Sequence, residues 1–313
     1  MSVSSPSLPA LLAGEGLPEF EAISPDQIEQ AMPLVLEELA SGFTALETQL
    51  KRRLQEAEAS GPPLHWDEVM EPLHLLGERL RWTWGVVSHL NGVCSSPELR
   101  QAHAAQQASV VAFGNRCGQS QILYRALRQL RDQGGWDTTQ QRILAAELRD
   151  MDLRGVALEE ADQQAFNNAS QELAELATRF GNQVLNATNS WTLWLRQPSE
   201  VEGLPDSLLE LLAQASREAG EAEATAVAGP WLMGLDMPRF APFLQHSRRR
   251  DLREQVYRAH VSRASGEEAG NWPLIERILS LRLEQAQRLG YRHWAEGSLA
   301  SKMADRKSTR LNS

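Results

Sequence analysis

"SPDQIEQAMPLVLEELASGFTALETQLKRRL", Ser24–Leu54, decides the fold. Ile28, Met32, Val35, Leu39, Phe43, Leu46, Leu50 and Leu54 recur at intervals of four and three. That spacing puts them on one face of a helix of about 3.6 residues per turn, and no strand could use it. The start is marked as well: Ser24 is placed to cap, Pro25 to take the first helical position, and Gln27 to close a capping box. Pro33 lies inside the pattern and is expected to bend the helix or shift its start.

The same period extends along the chain. "GPPLHW" (61–66) breaks the helix, and a second stripe follows in Val69, Leu73, Leu76, Leu80, Trp84 and Val87. Ser96 and Pro97 restart it, with Leu99, His103, Val110, Phe113 and Cys117 marking the inner face. A shorter helix is expected around Ile122, Leu123, Leu127 and Leu130. After the turn "GGWDTT" (134–139), Thr138 or Thr139 should cap a helix carrying Ile143, Leu144, Leu148 and Met151. A long helix through Phe166, Ala169, Leu173, Leu176, Phe180 and Val184 comes next.

One stretch changes period. "SWTLWLRQ" (190–197) alternates and is rich in aromatic and β-branched residues, so it reads as a strand, with "GPWLMGLDMP" (229–238) as its partner. A helix bounded by Pro205 and Gly220 lies between them. The last segments return to helix, with Leu252, Val256 and Tyr257 in one and Ile275, Ile278, Leu279, Leu283 and Leu289 in the next, stopped by Gly290. The expected fold is all-α: one antiparallel helical lobe over residues 1–304, with a small β-hairpin-like excursion near 191–196 and 230–236.

Composition narrows the function classes. A formal net charge of −10 argues against nucleic acid, which needs a dense basic surface. "SRRRDLR" (247–253) is the local exception; Asp251 and Glu254 lie in the same pattern, which suits a solvated helix face. No apolar run is long enough to span a bilayer, so no membrane role is expected. The opening "MSVSSPSLPALLAGEG" lacks the basic start and apolar stretch of a signal peptide, and a cytoplasmic location is expected. Cys94 and Cys117 form no CxxC pair and suit reduced, buried thiols.

Chemistry is hard to find. None of the seven histidines sits in HExxH, the arrangement that sets two imidazoles one helical turn apart around a basic carboxylate. Glu71 and His74 have the Glu-x-x-His spacing of di-iron bundles, which need a second copy and two further glutamates; a polar helix face suits them better. No GxSxG, P-loop or GxGxxG is present. The glycosylation patterns at Asn168 and Asn186 fall in a helical stripe. Of the nine tryptophans, Trp82, Trp84, Trp191 and Trp194 fit core or interface positions more readily than a ligand groove.

Several stretches, taken in order, resemble the N-terminal half of the thimet oligopeptidase family, in its bacterial oligopeptidase A branch. They are "LPEFEAISPDQIEQAM" (17–32), "VVSHLNGVCSSPELRQA" (86–102), "LRDMDLRGVAL" (148–158), "LATRFGNQVLNATNSW" (176–191), "DLREQVYRAHVSRAS" (251–265) and "ILSLRLEQAQRLGYRHWAEGSLASKMA" (278–304). The resemblance implies a zinc metallopeptidase that cuts short peptides, almost wholly helical, with two lobes beside a deep channel. In that family the HExxH histidines and a downstream glutamate hold Zn2+, and all lie in the C-terminal half. No residue here matches them, so no catalytic, cofactor-binding or metal-ligating residue is carried over. The implied partners are short peptides and a missing C-terminal half, and the chain alone is expected to be inactive. The closing "DRKSTRLNS" (305–313) resembles a one-frame translation of a sequencing-library adapter and is expected to be a non-native tail. The alternative is a stand-alone helical scaffold that binds a protein or peptide without catalysis.

Overall fold

The computed structural model describes residues 10–59, 61–266 and 270–302. The tail Asp305–Ser313 lies outside them. Among the described residues the elements run α1 (Pro25–Glu58), α2 (Trp66–Val93), α3 (Pro97–Gly118), α4 (Gln121–Gln133), α5 (Thr138–Leu153), α6 (Glu160–Ser190), β1 (Leu193–Leu195), α7 (Asp206–Glu218), β2 (Trp231–Met233), α8 (Met237–His246), α9 (Arg250–Val261), α10 (Trp272–Arg288) and α11 (Trp294–Leu299). The fold is mainly all-α, as the apolar periodicity requires.

All eight stripe residues of α1 are buried. Ser24 Oγ accepts from the Gln27 amide at 3.3 Å, the expected cap. The capping box is not closed: Gln27 Oε1 accepts instead from the Ala10 amide at 3.3 Å, tying down the turn that precedes the helix. Nor does Pro33 shift the start, since the helix runs from Pro25 to Glu58 with Pro33 exposed inside it. A mid-helix proline costs about 3 kcal/mol, whereas each buried stripe side chain contributes about 1.5–3 kcal/mol, so burial wins. At α5 the cap is Asp137, not Thr138 or Thr139; Asp137 Oδ1 accepts from Gln140 N at 2.8 Å and Gln140 Oε1 accepts from Asp137 N at 3.1 Å. This reciprocal pair satisfies two orphan donors where a threonine hydroxyl would satisfy one.

The chain divides into two compact units. One holds the described residues up to Glu175 and those from Leu279 onward; the other is Leu176–Ile278. In the first unit, Phe43, Leu50, Leu127, Leu130 and Leu144 form one apolar cluster, and Leu11, Ile28, Met32, Val87 and Leu99 a second. In the second unit, β1 and β2 pair antiparallel, Leu193 opposite Met233 and Leu195 opposite Trp231. The strands are three residues each, shorter than expected. Leu212, Trp231, Met233, Phe243 and Val256 form this unit's core, and Trp231 satisfies its buried indole by donating Nε1 to the Ala226 carbonyl at 3.1 Å.

The expected inner face of α10 is only partly covered: Ile275, Ile278 and Leu289 are half-buried, and Leu279 and Leu283 are exposed. Leu274, Leu281 and Gln285 are buried, while Trp272, Leu279 and Leu283 are exposed. Both triplets have the spacing i, i+7, i+11, offset by two residues, which places them on opposite sides of a helix with about 100° per residue. Periodicity alone could not choose between them. On the buried side, Gln285 Nε2 donates to the Phe166 carbonyl at 3.2 Å and to Ser170 Oγ at 2.8 Å. Tyr257, read as an inner residue of α9, is likewise exposed, whereas Leu252 and Val256 are buried as expected.

Candidate functional site

A cleft of about 900 Å³ lies within the first unit, between α1, α2, α3 and α5. Its size and apolar lining are those of a small-molecule or side-chain pocket. Phe43, Met70, Leu73, Leu76 and Phe113 form its apolar walls; Asp67, Glu71 and His74 on α2, and Glu147 and Asp150 on α5, stand around them. Ile143, read as an inner residue of α5, lies at this cleft and is partly exposed. Glycines shape one wall. A Cβ on Gly118 would lie 2.1 Å from Arg154 Cδ, so Gly118 makes room for the Arg154 stem against α3.

The site's titration follows its burial. The Glu147 carboxyl is pushed above the usual carboxylate range by desolvation, with Asp150 adding to the effect and Arg154 opposing it. Desolvation also pushes the Cys117 thiol up to about 12, leaving it protonated and a poor nucleophile. Cys94, expected to be buried, is exposed.

Glu71 and His74 both line the cleft, but His74 faces another carboxylate, Glu78, at 3.9 Å, with its side chain 68% exposed. Among the described residues, no three His, Cys, Asp or Glu side chains come together in a geometry that could hold a metal.

The four tryptophans singled out in the sequence go to packing. Trp82 donates Nε1 to the Gly16 carbonyl at 2.9 Å, and Trp84 stacks on the buried His103 with ring centroids 4.6 Å apart. Trp191 packs against the second unit's core, and Trp194 lies under the Arg196 guanidinium at 5.0 Å. Asn168 and Asn186 both fall on α6, where Asn168 Oδ1 accepts from Gln164 Nε2 at 2.8 Å. No helix among the described residues is long and apolar enough to cross a membrane. Sequence reasoning missed Glu147 and Arg154 as members of the cleft, because each is an unremarkable charge on a helix until packing places it.

Two family models match the chain: "Neurolysin/Thimet oligopeptidase, N-terminal domain" over residues 35–163 and "Peptidase family M3" over 243–312. The second span takes in most of the closing segment read above as foreign. A helical fold with these two matches in order defines the class: the chain belongs to the thimet oligopeptidase family, peptidase family M3. Within it the likeness is to oligopeptidase A. The chain is 36% identical over 303 residues to "Oligopeptidase A" of Salmonella typhimurium, covering 94% of this chain and 42% of that protein. It is 42% identical over 266 residues to "Probable cytosolic oligopeptidase A" of Arabidopsis thaliana, covering 84% of this chain and 38% of that protein. At 28% identity over 188 residues it also resembles "Dipeptidyl carboxypeptidase" of Escherichia coli, covering 60% of this chain and 27% of that protein. The chain spans about two fifths of the length of the curated oligopeptidase A relatives it matches.

Proposed function

We propose that this chain is the N-terminal portion of a zinc-dependent oligopeptidase acting on short peptides, in which it forms helical wall and leaves the metal to other residues. The observation that carries the reading is the kinship to oligopeptidase A along 94% of this chain but 42% of that protein. The sequence has no HExxH, and the described residues bring no three metal-ligating side chains together; both support an inactive chain. The exposed face of α10 supports a missing intramolecular partner. Trp272, Leu279 and Leu283 are 66%, 60% and 42% exposed on a helix whose other face is already buried, and helices apolar on both faces are normally covered on both. A stand-alone scaffold, by contrast, calls for a polar closed surface there.

A cytoplasmic location is part of this reading, supported by the relative whose name calls it cytosolic. Another relative is named organellar. The reading assigns no role with nucleic acid, in keeping with the net charge of −10.

The test joins an assay to a DNA read. The purified chain, given Zn2+ and an internally quenched short peptide, is expected to show no turnover above the blank. Genomic DNA read past codon 304 is expected to continue an open frame to HExxH. Turnover by this chain alone overturns its inactivity, and a natural stop after Ser313 overturns the portion reading.

A further inference from the structure

The arginine run noted in the sequence lies in the second unit, where its guanidinium groups divide into two sets. Arg248 Nη1 meets Glu202 Oε1 at 2.7 Å, Arg249 holds Asp251 through two bonds of 2.9 and 2.6 Å, and Arg258 meets Glu254 at 2.8 Å. Arg250 and Arg253 form no ion pair with any described residue. Arg253 Nε is also withdrawn from solvent with no hydrogen-bond acceptor, which is a costly state for a charged donor.

Those two arginines line one groove of about 680 Å³ together with Leu244, Glu254, Tyr257 and Arg258. Positions 250, 253 and 257 follow i, i+3 and i+7 on α9, so their side chains share a face. Glu254 is neutralised by Arg258, which leaves the groove at a formal +2 in a chain of net charge −10. Arg250 also opens α9, where the helix dipole is positive and a cation without a counter-ion is disfavoured. Such an arrangement favours an anion, and two guanidinium forks suit a planar carboxylate. Beside them the half-exposed ring of Tyr257 and the side chain of Leu244 offer apolar surface.

We propose that this groove binds the terminal carboxylate of a short peptide, with Arg250 and Arg253 on the carboxylate and Leu244 and Tyr257 against the last side chain. The choice of a peptide as the source of the carboxylate rests on the function proposed above. The apolar flank argues against a bare inorganic anion, which would gain nothing from Leu244 and Tyr257.

Isothermal titration of the full chain with N-acetyl-leucyl-leucine, its C-terminal amide and inorganic phosphate tests this. The free acid is expected to bind at least about tenfold more tightly than the amide or phosphate. Arg250→Ala and Arg253→Gln should each weaken the acid by about tenfold, while Arg248→Ala, in the same run but already paired, should not. Circular dichroism confirms that each variant is folded; should Arg253→Gln unfold, Arg250→Ala and Arg250→Lys decide, with Lys retaining more binding than Ala. Equal binding of acid and amide, no binding of either, phosphate matching the acid, or an equal loss in Arg248→Ala overturns the proposal. The titration needs neither zinc nor turnover, so its failure is distinct from failure of the peptidase reading.

Discussion

Arg53 and Glu68 form an ion pair that joins the end of α1 to the start of α2, with Nε 2.8 Å from Oε1. The Arg53 side chain is 9% exposed, reaches Glu56 at 2.9 Å and donates to the Pro63 carbonyl at 3.2 Å. Glu68 Oε2 accepts from the His65 amide at 2.8 Å, so the same carboxylate caps the incoming helix. Arg53→Ala removes the guanidinium that all three acceptors share and should lower the melting temperature by several degrees. Arg125→Ala breaks an exposed pair with Glu58 and should leave it nearly unchanged. Thermal melts followed by circular dichroism compare the two, and equal losses would refute the assignment.

Two carboxylates should move stability with pH in opposite senses. The Arg53 hydrogen bond holds Glu68 below the usual carboxylate range. Its contribution is therefore present above the unfolded value of about 4.3 and is lost as pH falls through the folded one. Glu147 is raised by burial, so its contribution is present below the unfolded value and is lost as pH rises through the folded one. At about pH 7 Glu68→Gln should lower the melting temperature and Glu147→Gln should raise it, with both effects shrinking toward about pH 3. A melting series over pH checks the signs.

Leu127 is fully buried in the first unit's core. Leu127→Ala is expected to cost about 2–5 kcal/mol in urea unfolding, lost contacts and cavity together. Leu75→Ala, at a site 61% exposed, should stay within about 0.5 kcal/mol. A small cost at Leu127 would mean that the cluster is not packed as described.

Gly118 and Arg154 should be energetically coupled. Alanine is ordinarily better than glycine inside a helix by about 1 kcal/mol. Here its Cβ would lie 2.1 Å from Arg154 Cδ, so Gly118→Ala is expected to destabilise the chain. In an Arg154→Ala background, where that stem is gone, the same change should be neutral or stabilising. A double-mutant cycle measures the difference, and additivity of the two changes would contradict the contact.

The two cysteines should differ in reactivity. Cys94 is exposed, whereas the half-buried Cys117 has its thiol pushed up to about 12. Iodoacetamide at mildly alkaline pH is expected to label Cys94 quickly and Cys117 only on denaturation. Peptide mass mapping over time reads the order, and prompt labelling of Cys117 would show that its site is open.

Much of the fold was legible in advance because α1, α4 and the Leu144–Leu148–Met151 face of α5 each carry one apolar stripe against a polar remainder. Burial of such a stripe is the dominant favourable term, so its period announces the element. The β excursion was legible for a similar reason, since only "SWTLWLRQ" and its partner break the helical period. Caps were harder. Ser24 was read correctly and Thr138 or Thr139 was not, because several residues near a helix start can accept a bond and the competition is local geometry. The candidate cleft was not legible at all, since Glu147, Cys117 and Arg154 lie far from Met70 and Leu76 along the chain.

The order of residues by itself determined that this is a helical chain of the thimet oligopeptidase family with one short strand pair, because period and motif are properties of sequence neighbours. Only the tertiary structure decided which side of α10 is buried, which arginines of 248–258 are left without a carboxylate, and which carboxyl is desolvated. The buried triplet Leu274, Leu281 and Gln285 and the exposed triplet Trp272, Leu279 and Leu283 have the same period on opposite sides of one helix. Likewise, a charge acquires its energy from partners that the fold, not the neighbouring residues, brings within a few ångströms.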